Sequence, residues 1–204
     1  MGTASIDFTP VVLAKNKNSK KVVQRLTDSI LKKVGLTGSK PRHIFSLKSM
    51  KDVGEIYELA AYLFVFGDYD LCYSVCSMFD EMCFCGDYGT WDSVSRCRTM
   101  QVAINRMNGN ETKATQVLNT ILPYEAADLY NNAWNYTYKT GLELRTLYDE
   151  AKAGLRTPRI VRKRMLGVAM ACNHYIQLGV LLEHHDLMKK WHNEIVQFLR
   201  LEEK

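Results

Sequence analysis

Glycine and proline are scarce: the 204 residues hold 12 and 4. A β-sandwich or barrel, which turns tightly every few residues, needs more of both. No segment alternates apolar and polar residues between hairpin turns. Long hydrophobic runs are missing as well. The longest, Leu59–Phe66, is eight residues, far short of the ~18 that cross a bilayer. The apolar piece Val11-Val12-Leu13-Ala14 has no basic segment ahead of it and runs into Lys15, Lys17, Lys20 and Lys21, the reverse of a secretory signal. Ile6 stands where a myristoylation pattern wants Ser or Thr. The expectation is a cytoplasmic chain with no membrane partner. There is no Gly-rich phosphate loop, no nucleophile elbow and no HExxH, and no pair of carboxylates stands out on one helix face. These absences argue against an enzyme and against a bound cofactor.

What is present is ordinary for a globular protein: 47% hydrophobic and 24% charged residues. The net charge is +5, unevenly spread. Residues 1–50 carry 10 Lys and Arg against 2 acids, residues 51–153 carry 8 against 15, and residues 154–204 carry 9 against 5. Basic ends around an acidic middle suit attraction between charged surfaces rather than one nucleic-acid stripe.

Apolar residues recur at three and four along most of the chain, the helical period. Val23, Leu26, Ile30 and Val34 set a first helix over about 19–34. Val53, Ile56, Ala60, Leu63 and Phe64 set a second over 49–66, and Tyr73, Cys76, Phe79, Met82 and Cys83 a third running to about Phe84. Trp91, Val94, Cys97, Ile104 and Met107 follow from Thr90 or Asp92. Asn110 caps a helix carrying Ala114, Val117, Leu118, Ile121 and Leu122. Further helices are expected over 125–138 and 142–153, from Thr157-Pro158, a cap with proline at the first helical position, and from about His185. The fold class is all-α: about eight helices in antiparallel hairpins, with residues 1–18 a flexible arm and 19–204 a single domain. A globular helical bundle is the alternative to a short solenoid.

Gly67, Gly109, Gly141 and the corner His184-His185-Asp186 fall 42, 32 and about 44 residues apart, the length of helix–turn–helix repeats. The segment Tyr57–Cys72 resembles a tetratricopeptide repeat unit. It has a small residue, Ala60, on the first helix, the corner Gly67-Asp68-Tyr69, and a small residue five past the glycine, Cys72. Gly109-Asn110 repeats the corner, with Ala114 in the small position. The last hairpin departs from the pattern: its corner lacks glycine, and Trp191 stands near the small position. The resemblance implies a TPR-like array of stacked hairpins that binds a protein or peptide.

Six cysteines are present: Cys72, Cys76, Cys83, Cys85, Cys97 and Cys172. Cys83-Phe84-Cys85 on a helix end would point its thiols apart, so the spacing does not suit a zinc site. The reading is of small buried hydrophobes in a reduced chain, with no metal. His184, His185 and His192 cluster near one corner without a carboxylate at matching spacing, which reads as a solvated corner.

Two stretches are candidates for partner binding. Tyr130, Trp134 and Tyr138 recur at steps of four, beside a stripe of Asn131 and Asn135. The tetratricopeptide resemblance implies that such asparagines grip a peptide backbone, since Asn both donates and accepts; an aromatic core with a wet Asn face fits the same pattern. Arg159, Arg162, Lys163 and Arg164 crowd a helix start, where the macrodipole opposes cations by ~0.3–1 kcal/mol. A cluster at that place points to an acidic protein surface or a phosphate, or to the acidic middle of the same chain. Candidate binding residues are therefore Asn131, Asn135, Tyr138, Arg159, Arg162, Lys163 and Arg164. The function these features imply is a non-catalytic protein–protein interaction module or adaptor, with an immunity or antitoxin-like binding protein as its narrower form. A nucleic-acid-associated regulator using the basic termini is the alternative, disfavoured because Ile160, Val161 and Met165 stand where RNA binding wants aromatics; a metal-binding protein or enzyme using the histidine or cysteine cluster is the third and least favoured reading.

Overall fold

The computed structural model describes residues 8–10, 50–81, 88–121, 158–179 and 184–191, with single helical positions between 21 and 32, turn and helical positions between 145 and 154, and residue 193. Within 50–52, 88–89 and 158–167 it describes the backbone alone. Among the described residues there is no strand, and the chain is all-α.

The chain divides into two compact units, Val12–Ile121 and Met1–Val11 with Leu122–Lys204. The sequence expectation drew one domain over 19–204 behind an arm at 1–18. In the second unit, residues of that arm are placed: Gln177 Nε2 donates to the Phe8 carbonyl at 2.7 Å, and Pro10 is buried.

The first unit is built from α1 (Met50–Val65), α2 (Tyr69–Cys76), α3 (Tyr88–Met107) and α4 (Glu111–Leu118). α1 forms because Val53, Ile56, Ala60, Leu63 and Phe64 recur on one face, and all five are buried. It ends where Gly67 takes φ +79°, which costs a side chain-bearing residue about 1 kcal/mol or more. The Gly67 N–H donates to Phe64 O at 3.0 Å and the Asp68 N–H to Leu63 O at 2.8 Å, the paired bonds of a Schellman turn. Chain direction then reverses into α2, and the two helices pack as a hairpin.

The second hairpin repeats the first 42 residues on. Gly109 takes φ +72°, its N–H donates to Arg106 O at 3.0 Å, and the Asn110 N–H donates to Asn105 O at 2.8 Å. Asp68 and Asn110 hold nearly the same angles, φ −88° ψ 62° and φ −97° ψ 66°. Cys72 and Ala114, each five past its glycine, are fully buried. α2 and α4 are both eight residues long. One difference is the cap. The Asn110 side chain accepts from the Lys113 N–H, whereas the Asp68 side chain makes no such bond.

α2 is shorter than its periodicity predicts. The α-helix stops at Cys76 and a 3-10 turn covers Ser77–Phe79. The reason lies in α3. Arg98 Nη2 donates to Phe79 O at 3.2 Å and lies 3.5 Å from Asp80 O, and Gln101 Nε2 donates to Asp80 Oδ1 at 2.8 Å. Side chains of a neighbouring helix thus take acceptors at which a longer α2 would have continued. The expected end at Phe84 lies outside the described residues.

α3 packs on α1, α2 and α4. Residues 97–105 are all buried, so it is a central helix rather than one with a single apolar stripe. Trp91, Val94, Cys97 and Ile104 are buried as their spacing predicts, but Met107 is 42% exposed. It closes the last turn, beyond the reach of the core. In the second unit, α5 (Pro158–Leu178) starts at the proline that Thr157-Pro158 signals and buries Val168, Cys172 and Tyr175.

Candidate functional site

The predicted binding residues fall largely outside the described set. Asn131, Asn135 and Tyr138 lie outside it altogether. Arg159, Arg162, Lys163 and Arg164 lie in the first two turns of α5 by backbone alone, and Arg159, Arg162 and Lys163 share a helical register position by their spacing of three and four. Of the histidines, His192 lies outside the described residues. His185 is only 8% exposed, so the solvated-corner reading fails for it: Met188, one turn on, is buried with it.

Sequence periodicity missed the polar interior of the first unit. Arg98, Thr99, Gln101 and Asn105 are buried on α3, where a single-stripe pattern would have put them in water. Each is engaged. The Arg98 guanidinium lies 5.3 Å above the Trp91 ring while it bonds Phe79 O, Thr99 Oγ1 donates to Arg96 O at 2.8 Å, and Asn105 Nδ2 donates to Gln101 O at 2.9 Å. Buried polar groups are tolerated when so partnered. Arg98 and Gln101 bind α3 to the segment that follows α2, whereas the bonds of Thr99 and Asn105 just given stay within α3.

A second cluster is made of sulfur. Cys72 and Cys76, one turn apart on α2, hold their Sγ atoms 3.9 Å apart, and Cys72 Sγ lies 3.9 Å from Met100 Sδ of α3. The Cys72 thiol also donates to Ala60 O of α1 at 3.3 Å. Cys97, from α3, hydrogen-bonds Cys76. Burial pushes the thiols of Cys72 and Cys97 well above the usual range. Burial opposes ionisation of Cys76 too, but hydrogen bonds from Cys72 and Cys97 bring it below the usual thiol value, so it ionises first of the three. Cys172, in the other unit, is pushed up to about 12 by burial. The i, i+4 spacing of Cys72 and Cys76 was legible; the arrival of Cys97 and Met100 beside them was not. Among the described residues, no group of three or more His, Cys, Asp or Glu side chains is arranged to hold a metal ion.

At the outer edge of the same packing, Arg96 Nε meets both oxygens of Asp92 at 2.9 Å. Arg96 also bonds the Tyr57 phenol. Burial pushes Tyr57 up to about 12, with Arg96 acting in the opposite sense. Among the described residues, no helix is long and apolar enough to cross a membrane.

The sequence profile of DUF6707, a family of unknown function, matches residues 10–134. That span takes in both hairpins of the first unit and stops short of Asn135, Tyr138 and the arginine run. No curated protein and no solved structure matches the chain.

Proposed function

The chain belongs to the DUF6707 family, and we propose that it is a non-catalytic protein–protein interaction module, an adaptor made of TPR-like helical hairpins. The observation that carries this reading is the repeated corner. Gly67-Asp68 and Gly109-Asn110 share positive glycine angles, paired turn bonds and a buried small residue five positions on. Hairpins repeated in this way stack on nearest neighbours and leave long ridged surfaces, which serve as docking faces. The partner is a protein or peptide with an acidic surface. Cations at the start of α5, Arg159, Arg162, Lys163 and Arg164, work against the helix dipole and so add nothing to the fold by that route; an acidic partner gives them their use. Asn131, Asn135 and Tyr138 are the second set of proposed contact residues. A cytoplasmic setting and an immunity or antitoxin-like role are the narrower forms of the same reading.

The test is affinity purification of the tagged full-length chain from cells of its source, beside an Arg162→Glu/Arg164→Glu variant. Loss of the captured partner with an unchanged melting temperature supports the reading. Unchanged capture removes the arginine face. Binding to generic RNA that weakens steeply with added salt would replace the adaptor by a nucleic-acid regulator.

A further inference from the structure

We propose that Cys72, Cys76 and Met100 form a binding site for a soft monovalent metal ion, copper(I) among the biologically available ones. The inference stands on a different set of residues from the adaptor reading and does not depend on it.

The repeat supplies an internal comparison. Cys72 and Ala114 occupy equivalent places after equivalent corners, and both are fully buried. Alanine meets the packing requirement at the second corner, so close approach of the helices does not by itself call for sulfur at the first. Cys76 corresponds to Leu118, and Met100 to Glu58. The sulfurs are thus gathered at one of two like positions.

Distance says what they can hold. Cys72 Sγ is 3.9 Å from both Cys76 Sγ and Met100 Sδ. Two sulfurs that far apart subtend about 115° at an atom ~2.3 Å from each, a usual metal–thiolate length. Along the two edges that share Cys72, that is close to the 120° of three-coordinate geometry. Two thiols and a thioether are soft ligands, which select copper(I) over harder ions. Zinc prefers four nitrogen, sulfur or carboxylate donors in a tetrahedron, and the described residues offer no such set.

The same geometry counts against a disulfide between Cys72 and Cys76. Residues four apart on a helix keep their Cβ atoms ~5–6 Å apart, whereas a disulfide needs ~3.5–4.5 Å. Cys72 and Cys76 are 0% exposed and Met100 is 2% exposed, so water does not compete for the ion and dioxygen has little access to it. Binding exchanges protons for metal. The S–H bonds of Cys72 and Cys76 break, two S–metal bonds and one thioether–metal bond form, and two protons leave. The complex carries one negative charge. Cys97 keeps its proton and donates to the Cys76 sulfur, spreading that charge, as a supporting shell does at other metal sites.

The experiment is titration of reduced full-length protein, in a Cys83→Ser/Cys85→Ser background, against copper(I) held by a bicinchoninate chromophore. One equivalent withdrawn from the chromophore is expected, with a sulfur-only coordination shell by X-ray absorption. Cys72→Ala, whose side chain copies Ala114, should weaken binding by more than ~100-fold while keeping the helical circular dichroism. If that variant does not fold, Met100→Leu, similar in volume, carries the test, with at least a ~10-fold loss expected. Cys97→Ala should keep the one-to-one stoichiometry. The proposal is overturned if the parent withdraws no copper(I), if a folded Cys72→Ala or Met100→Leu variant binds as the parent does, or if Cys97→Ala abolishes the site.

Discussion

Arg98 closes the end of a helix it does not belong to: its Nη2 donates to the main-chain oxygen of Phe79, 3.2 Å away and 19 residues earlier. The same guanidinium lies over Trp91. Removing it leaves buried carbonyl oxygens with a donor fewer, at about 1–3 kcal/mol for a buried group. Arg98→Met, which keeps the stem's bulk, should lower unfolding free energy by about 2–3 kcal/mol in urea. Arg98→Lys should recover only part, because an ammonium lacks the planar fork. A variant within ~0.5 kcal/mol of the parent would show that the interaction contributes nothing.

Gly67 and Gly109 give a second prediction. Nothing lies within 4 Å of a Cβ built at either, so alanine there meets conformational strain and no clash. Each Gly→Ala change should cost about 1 kcal/mol, and asparagine, which tolerates the left-handed region, should cost less. Equal losses for Ala and Asn would mean that something other than the backbone angle is at work.

The two corners should respond differently to loss of their polar residue. Asn110 caps α4 through its side chain, whereas Asp68 makes no cap bond to α2. Asn110→Ala should cost about 1 kcal/mol, and Asp68→Ala distinctly less. Thermal melts of both variants decide it; the reverse order contradicts the capping assignment.

Tyr57 predicts an alkaline limit. Its folded value of about 12 stands above the ordinary 10, chiefly because of burial. The unfolded chain therefore gives up this proton first. The stabilisation is complete below pH 10 and is lost as pH rises from 10 towards 12, on the order of 2 kcal/mol. Denaturation series across that window should show a shallower fall for Tyr57→Phe than for the parent. Identical slopes would place the lost proton elsewhere.

Where the fold was legible in the sequence, the signal was local and tied to one residue type. Gly67 and Gly109 mark corners because a positive φ favours glycine, Asn110 marks a helix start because its side chain accepts an early N–H, and Pro158 fits a first helical position. α1 was legible from its apolar period alone. α3 was legible as a helix from Trp91, Val94, Cys97 and Ile104, but the burial of its polar residues was not. Its Arg98, Gln101 and Asn105 break the apolar stripe because they serve acceptors on other turns and helices, Phe79 O and Asp80 Oδ1 among them, and such long-range bonds leave no trace in a period of 3.6. The premature end of α2 has the same origin. Half of the sulfur cluster could be read from Cys72 and Cys76. The other half comes from α3, more than twenty residues away, and only packing brings it near. Of the binding candidates, Asn131, Asn135 and Tyr138 fall outside the described residues, and the arginine run has its helix but not its side chains placed.

Because Asp68 and Asn110 arrive at nearly the same φ and ψ behind like glycines, the chain carries two interchangeable splice points. Excising residues 68–109 would join Gly67 directly to Asn110, and the backbone on each side already has the angles the other requires. Duplicating that segment would be equally smooth. A gene encoding this turn can change length in whole-hairpin steps without inventing a new bend.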